Sequence, residues 1–238
     1  MGLQEFVPPH DPTQDAALAV GFASLTTIPI VGGPVVEIAS GLLASRQQQR
    51  QHEYNVMLAK TLEDLLREAD GWSAEAVLNS DEFMAAYEKT ARFAAESESQ
   101  EHRLRLARAA AQMGDWSPVN KAMRRQMLAW VTEMDDSHVR ALKFLDDPRA
   151  FIAKVDDDPS RLPHALNPGI SLSSLIGEWV YLNQPGWADL TRIVSRFLND
   201  NGLAQIPSQS TMSVDGALSC HTTELGRSLL HFIETPSS

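Results

Sequence analysis

The stretch Leu25–Asn55, LTTIPIVGGPVVEIASGLLASRQQQRQHEYN, passes from an uncharged apolar run into a polar run rich in glutamine. From Ala16 to Val36 the chain has 21 residues without a charge, and a membrane-spanning helix needs about 20. The segment IPIVGGP, however, has the composition of a turn, because proline and glycine interrupt a helix. We therefore interpret the region as a hairpin of two helices.

One arm of this hairpin is predicted from Gln14 to Thr26, and the second starts near Pro34 and continues through the glutamine-rich stretch. The apolar part of each arm suits a buried core helix and is too short to cross a bilayer. We favour a packed core hairpin, with release to a membrane or to another copy as the alternative. The hinge would be Gly32, Gly33 and Pro34, and the apolar surface Leu18, Phe22, Ile28, Ile30, Val35, Ile38 and Leu42.

Composition excludes several classes of protein. In 238 residues the apolar fraction is 43%, which is enough for a packed core. Acidic residues outnumber basic ones by 31 to 20, so nucleic acid is disfavoured as a partner. Cys220 is the only cysteine, so the sequence cannot form an intramolecular disulfide. The first basic residue is Arg46, after the apolar run, and this disfavours a secretory signal peptide. We expect a cytoplasmic protein, attached conditionally to the inner face of the membrane.

The chain is predicted to be mainly α: a helical bundle with an N-terminal apolar helical hairpin and a small C-terminal winged-helix-like domain. In the bundle, Tyr54, Leu58 and Leu62 recur at helical spacing, and Ser80 is the expected N-cap of a later helix. The segment beginning DDDP is a linker, since it is rich in proline and aspartate. The predicted divisions are 1–45 for the hairpin arm, 46–155 for the bundle, 156–170 for the linker and 171–238 for the last domain.

The last domain contains WADLTRIVSRFLNDNGLAQI, in which one helical face would carry Leu190, Ile193, Val194, Phe197 and Leu198. An extended piece, the polar loop PSQSTMSVDG, a second extended piece ALSCHT and a final helix TELGRSLLHFI follow. This order, with its "GL…T-x-x-G-R" run, resembles a winged helix-turn-helix. The resemblance implies a recognition helix whose solvent side carries Arg192, Ser195, Arg196 and Asn199.

Two features favour a protein partner over DNA for this domain. Asp189 and Asp200 lie beside the two arginines, and the predicted wing contains Asp215 but no lysine or arginine. A winged helix can also serve to bind protein. We expect a protein partner or self-association, with a membrane as a conditional partner.

The sequence contains no G-x-S-x-G, Walker, dinucleotide-binding or H-E-x-x-H motif. Its seven histidines are dispersed, which is typical of exposed helix positions rather than of metal ligands. Cys220 alternates with Leu218 in a predicted strand, and this favours a buried structural thiol. We therefore predict no catalytic, cofactor-binding or metal-binding residues, no small-molecule substrate, and a protein that is not an enzyme.

Three segments together, IPIVGGPVVEIASGLLASR, EKTARFAAESESQEHRLRLARAA and TELGRSLLHFI, resemble in their layout a loose group of bacterial all-helical proteins that includes the abortive-infection alpha family. The resemblance implies a role in phage defence or a stress response. We expect a non-enzymatic protein that acts by association, with the N-terminal hairpin as a conditional membrane or oligomerisation element. The alternative is an adaptor or regulator whose winged-helix domain binds a partner protein or, less favoured, DNA.

Overall fold

The computed structural model describes residues 34–68, 73–155, 170–207 and 211–234. Within these ranges the chain is mainly helical, which confirms the predicted class. Contacts divide the chain into two units, Met1–Lys121 and Ala122–Ser238. Residues 156–169 of the predicted linker lie outside the described residues.

The first unit contains four helices in its described part: α1 (Pro34–Glu68), α2 (Ala74–Leu78), α3 (Asp81–Glu96) and α4 (Gln100–Ala111). Helices α1, α3 and α4 pack on one another, and α2 packs on α3. Helix α1 begins at Pro34, the residue near which the sequence places the start of the second hairpin arm. Residues 1–33, which include the first arm, lie outside the described residues.

Each of the three shorter helices begins at a serine whose hydroxyl accepts a backbone N–H from the first turn. These N-caps are Ser73, Ser80 and Ser99, and serine is a preferred residue at this position. The cap predicted at Ser80 is therefore confirmed.

A hydroxyl pair lies in the interior of the first unit, where Tyr54 of α1 is fully buried together with Thr90 of α3. Thr90 Oγ1 donates its hydrogen to the carbonyl of Ala86 at 2.8 Å, so the Tyr54 hydroxyl donates to Thr90 Oγ1, 2.5 Å away. Burial raises the pKa of Tyr54 above its ordinary value. Tyr54 therefore remains an uncharged donor that links α1 to α3.

Arg103 on α4 binds both to α1 and to the segment that joins α3 to α4. Its guanidinium is buried, with Nη2 2.6 Å from Glu53 Oε2. Nη1 donates to the carbonyls of Ser97 and Glu98 at 2.9 and 3.2 Å. Because Ser97 is the C-cap of α3, one buried cation holds the end of α3, the start of α4 and the middle of α1 together.

The second unit is built from short elements. In chain order they are α5 (Lys121–Glu133), α6 (Asp136–Asp146), α7 (Pro148–Val155), β1 (Ile170–Ser171), α8 (Leu172–Leu175), a π-helical turn (Ile176–Val180), α9 (Trp187–Asp200), β2 (Thr211–Met212), α10 (Val214–Ala217) and α11 (Glu224–Ile233). Strands β1 and β2 pair antiparallel, with Ile170 opposite Met212.

Helix α6 is the centre of this unit, since it packs against α7, the π-helical turn, α9 and α11. Its inward residues are Val139, Ala141, Leu142, Phe144 and Leu145. These contacts explain why α6 and α7 belong with the C-terminal helices, although the sequence places both of them in the bundle that ends at 155.

Helix α9 follows a turn in which Leu182 and Asn183 adopt left-handed backbone conformations. Its buried residues are Thr191, Val194 and Leu198, while Leu190 and Phe197 are only half-buried. Ile193, predicted on the core face, is instead 56% exposed. The five apolar positions cover a wider arc than the helix buries, and Ile193 lies beyond the edge of that arc.

The two predicted extended pieces are present in shortened form. Gln205 N–H donates to the carbonyl of His221 at 2.8 Å, and Thr223 N–H donates to the carbonyl of Leu203 at 3.0 Å, on either side of an antiparallel Ala204–Thr222 bridge. The start of the second piece is not extended, since Ala217 ends helix α10. The Ser213 hydroxyl caps that helix by accepting the N–H of Gly216 at 3.2 Å, which favours a helical turn there.

Candidate functional site

Two of the four residues predicted on the recognition helix lie on the outer face of α9. Arg192 pairs with Asp189 at 2.8 Å, and Arg196 pairs with Asp200 at 3.3 Å. Both pairs lie within the helix and are largely exposed. Exposed pairs of this kind contribute about 0–1 kcal/mol to stability, so the fold does not depend on either arginine.

The other two predicted residues do not join this face in the same way. The Ser195 hydroxyl oxygen is buried and has no hydrogen-bond partner among the described residues. Asn199 donates from Nδ2 to the carbonyl of Ile206 and accepts the Ile206 N–H at Oδ1, both at 2.8 Å. Asn199 therefore holds the extended segment after α9 in place.

The outer face also contains a residue that the sequence assigned elsewhere. Ile193 lies between Arg192 and Arg196 and is one of the most exposed large apolar side chains described. Its position in the apolar pattern of α9 suggested burial, and only the packing of α9 on α6 shows which positions turn outward. We define the outer face of α9 as Asp189, Arg192, Ile193, Arg196 and Asp200.

A cleft of about 920 Å³ lies next to α9, where its C-terminal end meets the paired extended segments. Side chains on its walls include Asn199, Met212, Cys220, His221 and Arg227. The apolar residues Ile206 and Pro207 also line it. Ligand pockets commonly have volumes of about 300–1,000 Å³, and this cleft is lined by both apolar and polar residues.

Cys220 differs from its predicted role, because the thiol is exposed and not buried in a strand. Arg227 Nη2 lies 3.0 Å from Cys220 Sγ, and Arg227 Nε lies 3.0 Å from Asp146 Oδ1. These contacts with Cys220 and Asp146 raise the pKa of Arg227. Leu218 and Ser219 form a turn after α10 instead of a strand, so the strand alternation that implied burial does not apply.

The "GL…T-x-x-G-R" run has a structural explanation at each of its residues. Gly202 has a φ of +66°, which closes α9 in a left-handed conformation. The Thr223 hydroxyl donates to the carbonyl of Gly202 at 2.7 Å and accepts the Gly226 N–H at 3.0 Å, which caps α11. A Cβ at Gly226 would lie 2.1 Å from the Leu203 carbonyl oxygen. The motif thus fixes α11 against the end of α9, and Arg227 binds α6 through Asp146.

An ionisable pair lies at the start of α6, behind α9. Asp135 Oδ1 is 2.7 Å from His138 Nδ1 and also accepts the backbone N–H groups of Ser137 and His138. The hydrogen bond from His138 lowers the pKa of Asp135 to about 2. The imidazole packs edge-on against Phe197 with 4.9 Å between ring centroids. The pair therefore orients a histidine that supports the inner side of α9.

The predicted membrane or oligomerisation residues fall mostly outside the description. Leu18, Phe22, Ile28, Ile30, Gly32 and Gly33 lie outside the described residues. Pro34, Val35, Ile38 and Leu42 fall on α1, in the part for which the structure describes the backbone alone. Among the helices that the structure describes, none has the length and apolar character needed to cross a bilayer.

The described ranges contain no cluster of three or more histidine, cysteine, aspartate or glutamate side chains arranged to hold a metal ion. Comparison with known proteins returned no matching family, no matching curated protein and no matching solved structure.

Replacing Gly226 with alanine is expected to lower the free energy of unfolding by roughly 1–3 kcal/mol, because the new methyl group overlaps the Leu203 carbonyl. The direction of the change in stability is diagnostic. Helix propensity alone would make the alanine variant more stable by about 0.5–1 kcal/mol, whereas the overlap with Leu203 makes it less stable. Urea unfolding followed by tryptophan fluorescence measures the change.

Ser228→Ala on the same helix is the matched control, because Ser228 is exposed and should shift stability by no more than about 0.5 kcal/mol. A Gly226→Ala variant as stable as the parent, or more stable, would show that α11 does not pack tightly against Leu203.

Proposed function

We propose that this protein acts by association, and that its second unit is a winged-helix-like module that holds a protein partner on the outer face of α9. The observation that carries the proposal is Ile193, an apolar side chain of that face that is 56% exposed. The resemblance in layout to abortive-infection alpha proteins suggests phage defence or a stress response as the setting. No step of the proposal requires catalysis.

The residue types on the outer face support a binding role. Arg192 and Arg196 make ion pairs only within α9 in the hydrogen bonds and salt bridges that the structure gives them. A side chain kept for packing would be buried, yet Ile193 is not. Burying its exposed part in an interface would be favourable by about 25 cal/mol per Å² of apolar area. Arginine is one of the residues that commonly dominate binding at the centre of an interface.

The order of elements supports the winged-helix-like interpretation. A turn joins α8 and the π-helical turn to α9, as in a helix-turn-helix, and the paired segments around Ala204 and Thr222 precede α11. Between these segments β2 pairs with β1 rather than forming a simple two-stranded wing. This arrangement favours a module that presents α9, with the wing region committed to contacts inside the unit.

Acidic side chains favour protein over DNA as the partner. Asp189 and Asp200 neutralise the two arginines of the outer face, and Asp215 in the wing region pairs with Arg149 at 2.7 Å. The two carboxylates would repel a DNA phosphate backbone, and each of them is already paired with one of the two arginines. We therefore assign a protein partner to this face.

Ile193→Asp is expected to reduce binding of the partner at least about tenfold, because it places a charge at the centre of the interface. The measurement is co-purification of tagged full-length protein from its native cells with quantitative mass spectrometry. Circular dichroism checks that the variants are folded. Met84→Asp is the matched control, since Met84 is an exposed apolar helix residue of the first unit.

Equal recovery of every bound protein with Ile193→Asp and with the parent would contradict the proposal. Tight, salt-dependent binding of duplex DNA in fluorescence anisotropy, lost on reversal of Arg192 and Arg196, would assign the face to DNA instead.

We also propose that residues 1–45 are a conditional membrane or oligomerisation element. The supporting observation is that α1 runs from Pro34 through the glutamine-rich stretch to Glu68, as the second arm of the hairpin would. Full-length protein is expected to release dye from anionic liposomes, and a variant lacking residues 1–45 is not. Gly33→Leu, which changes only the hinge, should alter the leakage while the fold is retained in circular dichroism. Absence of leakage with the folded full-length chain would reduce the element to a core hairpin.

A further inference from the structure

The most exposed stripe of α9 has an ordered sequence of charges. Its residues lie at i, i+4, i+7 and i+11, which places them within one narrow arc of a helix with 3.6 residues per turn. This arc is opposite the one that contains the buried Val194 and Leu198. The stripe consists of Asp189, Ile193, Arg196 and Asp200.

The stripe is complementary to itself when two copies meet antiparallel. Asp189 and Arg196 are two helical turns apart, with Ile193 between them. If a two-fold axis passes beside residues 192 and 193, each Asp189 faces the partner's Arg196. The two Ile193 residues then lie nearly opposite each other, each about 0.75 Å along the helix from the axis. A parallel arrangement would instead place Asp189 against Asp189, and like charges in contact are repulsive.

The ion pairs present within the single chain do not oppose this arrangement. The side chains of Asp189 and Arg196 are 78% and 82% exposed, so their pairs with Arg192 and Asp200 are weak. A carboxylate can accept hydrogen bonds from two guanidinium groups, because it has about four lone-pair sites. Asp189 can therefore keep Arg192 while it binds the partner's Arg196.

We propose that the partner bound by the outer face of α9 is a second copy of this chain, packed antiparallel across a two-fold axis. The proposal rests on the proposed function and specifies its partner. Such an interface is isologous, so each contact occurs twice. Two Asp189–Arg196 pairs surround the two Ile193 side chains and exclude water from this apolar centre.

Charge reversal tests the arrangement in sedimentation velocity of the full-length protein over a concentration series. Asp189→Arg and Arg196→Asp should each weaken self-association at least about tenfold, because each creates two like-charge contacts. The double variant Asp189→Arg/Arg196→Asp should restore association to within about threefold of the parent, since every facing pair is again opposite in sign. An equal mixture of the two single variants should form heterodimers.

Arg92→Asp is the matched control for Arg196→Asp. Arg92 is likewise an exposed helix arginine that pairs with an acid four residues on, Glu96, and it lies in the first unit. This variant should self-associate like the parent. Circular dichroism of each variant separates loss of association from loss of folding.

A parent protein that remains monomeric at its highest soluble concentration would overturn the proposal, and so would a folded double variant that fails to recover association. If the chain is monomeric while Ile193→Asp still loses a different protein in co-purification, the proposed function stands and the second copy is ruled out as the partner. If Ile193→Asp affects neither assay, both proposals fail.

Discussion

The closure of the C-terminal end of α6 is the interaction on which the second unit depends. A helix ends with carbonyl groups that have no partner inside the helix, and a buried end must find donors elsewhere. Here Leu145, in the last turn of α6, accepts the His221 N–H at 2.8 Å. Leu142, one turn earlier, accepts the Thr222 hydroxyl at 3.2 Å in addition to its bond within the helix. The extended segment thus completes α6, and its own position is fixed in return.

Several features of the unit follow from this contact. With His221 and Thr222 held on α6, the other side of the segment pairs with Leu203 and Gln205. The same chain then enters α11 at Thr223, where the absence of a side chain at Gly226 lets the helix approach Leu203. Helix α9 is therefore fixed at its C-terminal end by contacts on its inner side. The fold does not require the side chains of its outer face.

Sequence patterns predicted what local chemistry determines. The Ser80 cap was predicted from its position before an acidic first turn, and the burial of Tyr54, Leu58 and Leu62 was predicted from their spacing. In each case the deciding contacts are within one helix or along one of its faces. The same reasoning found the helix that contains Arg192 and Arg196.

What the sequence could not supply depends on contacts between distant residues. Ile193 was assigned to the core because periodicity alone does not locate the edges of a buried arc. Cys220 follows a turn after α10 that the strand pattern did not predict, and its neighbour Arg227 binds Asp146, 81 residues earlier. Contacts between distant residues produce no recognisable pattern in the sequence. They nevertheless determine which side chains are exposed and available for binding.

The most direct test of this account is the effect of Thr222→Val on stability and on amide hydrogen exchange. Valine keeps the shape of threonine but removes the donor to Leu142, so the free energy of unfolding should fall by roughly 0.5–1.5 kcal/mol. Exchange should accelerate at Leu203–Ile206 together with residues 221–223, while Thr211→Val, at an exposed position, should change neither quantity. Unchanged stability and unchanged protection in Thr222→Val would contradict the claim that closure of α6 organises the second unit.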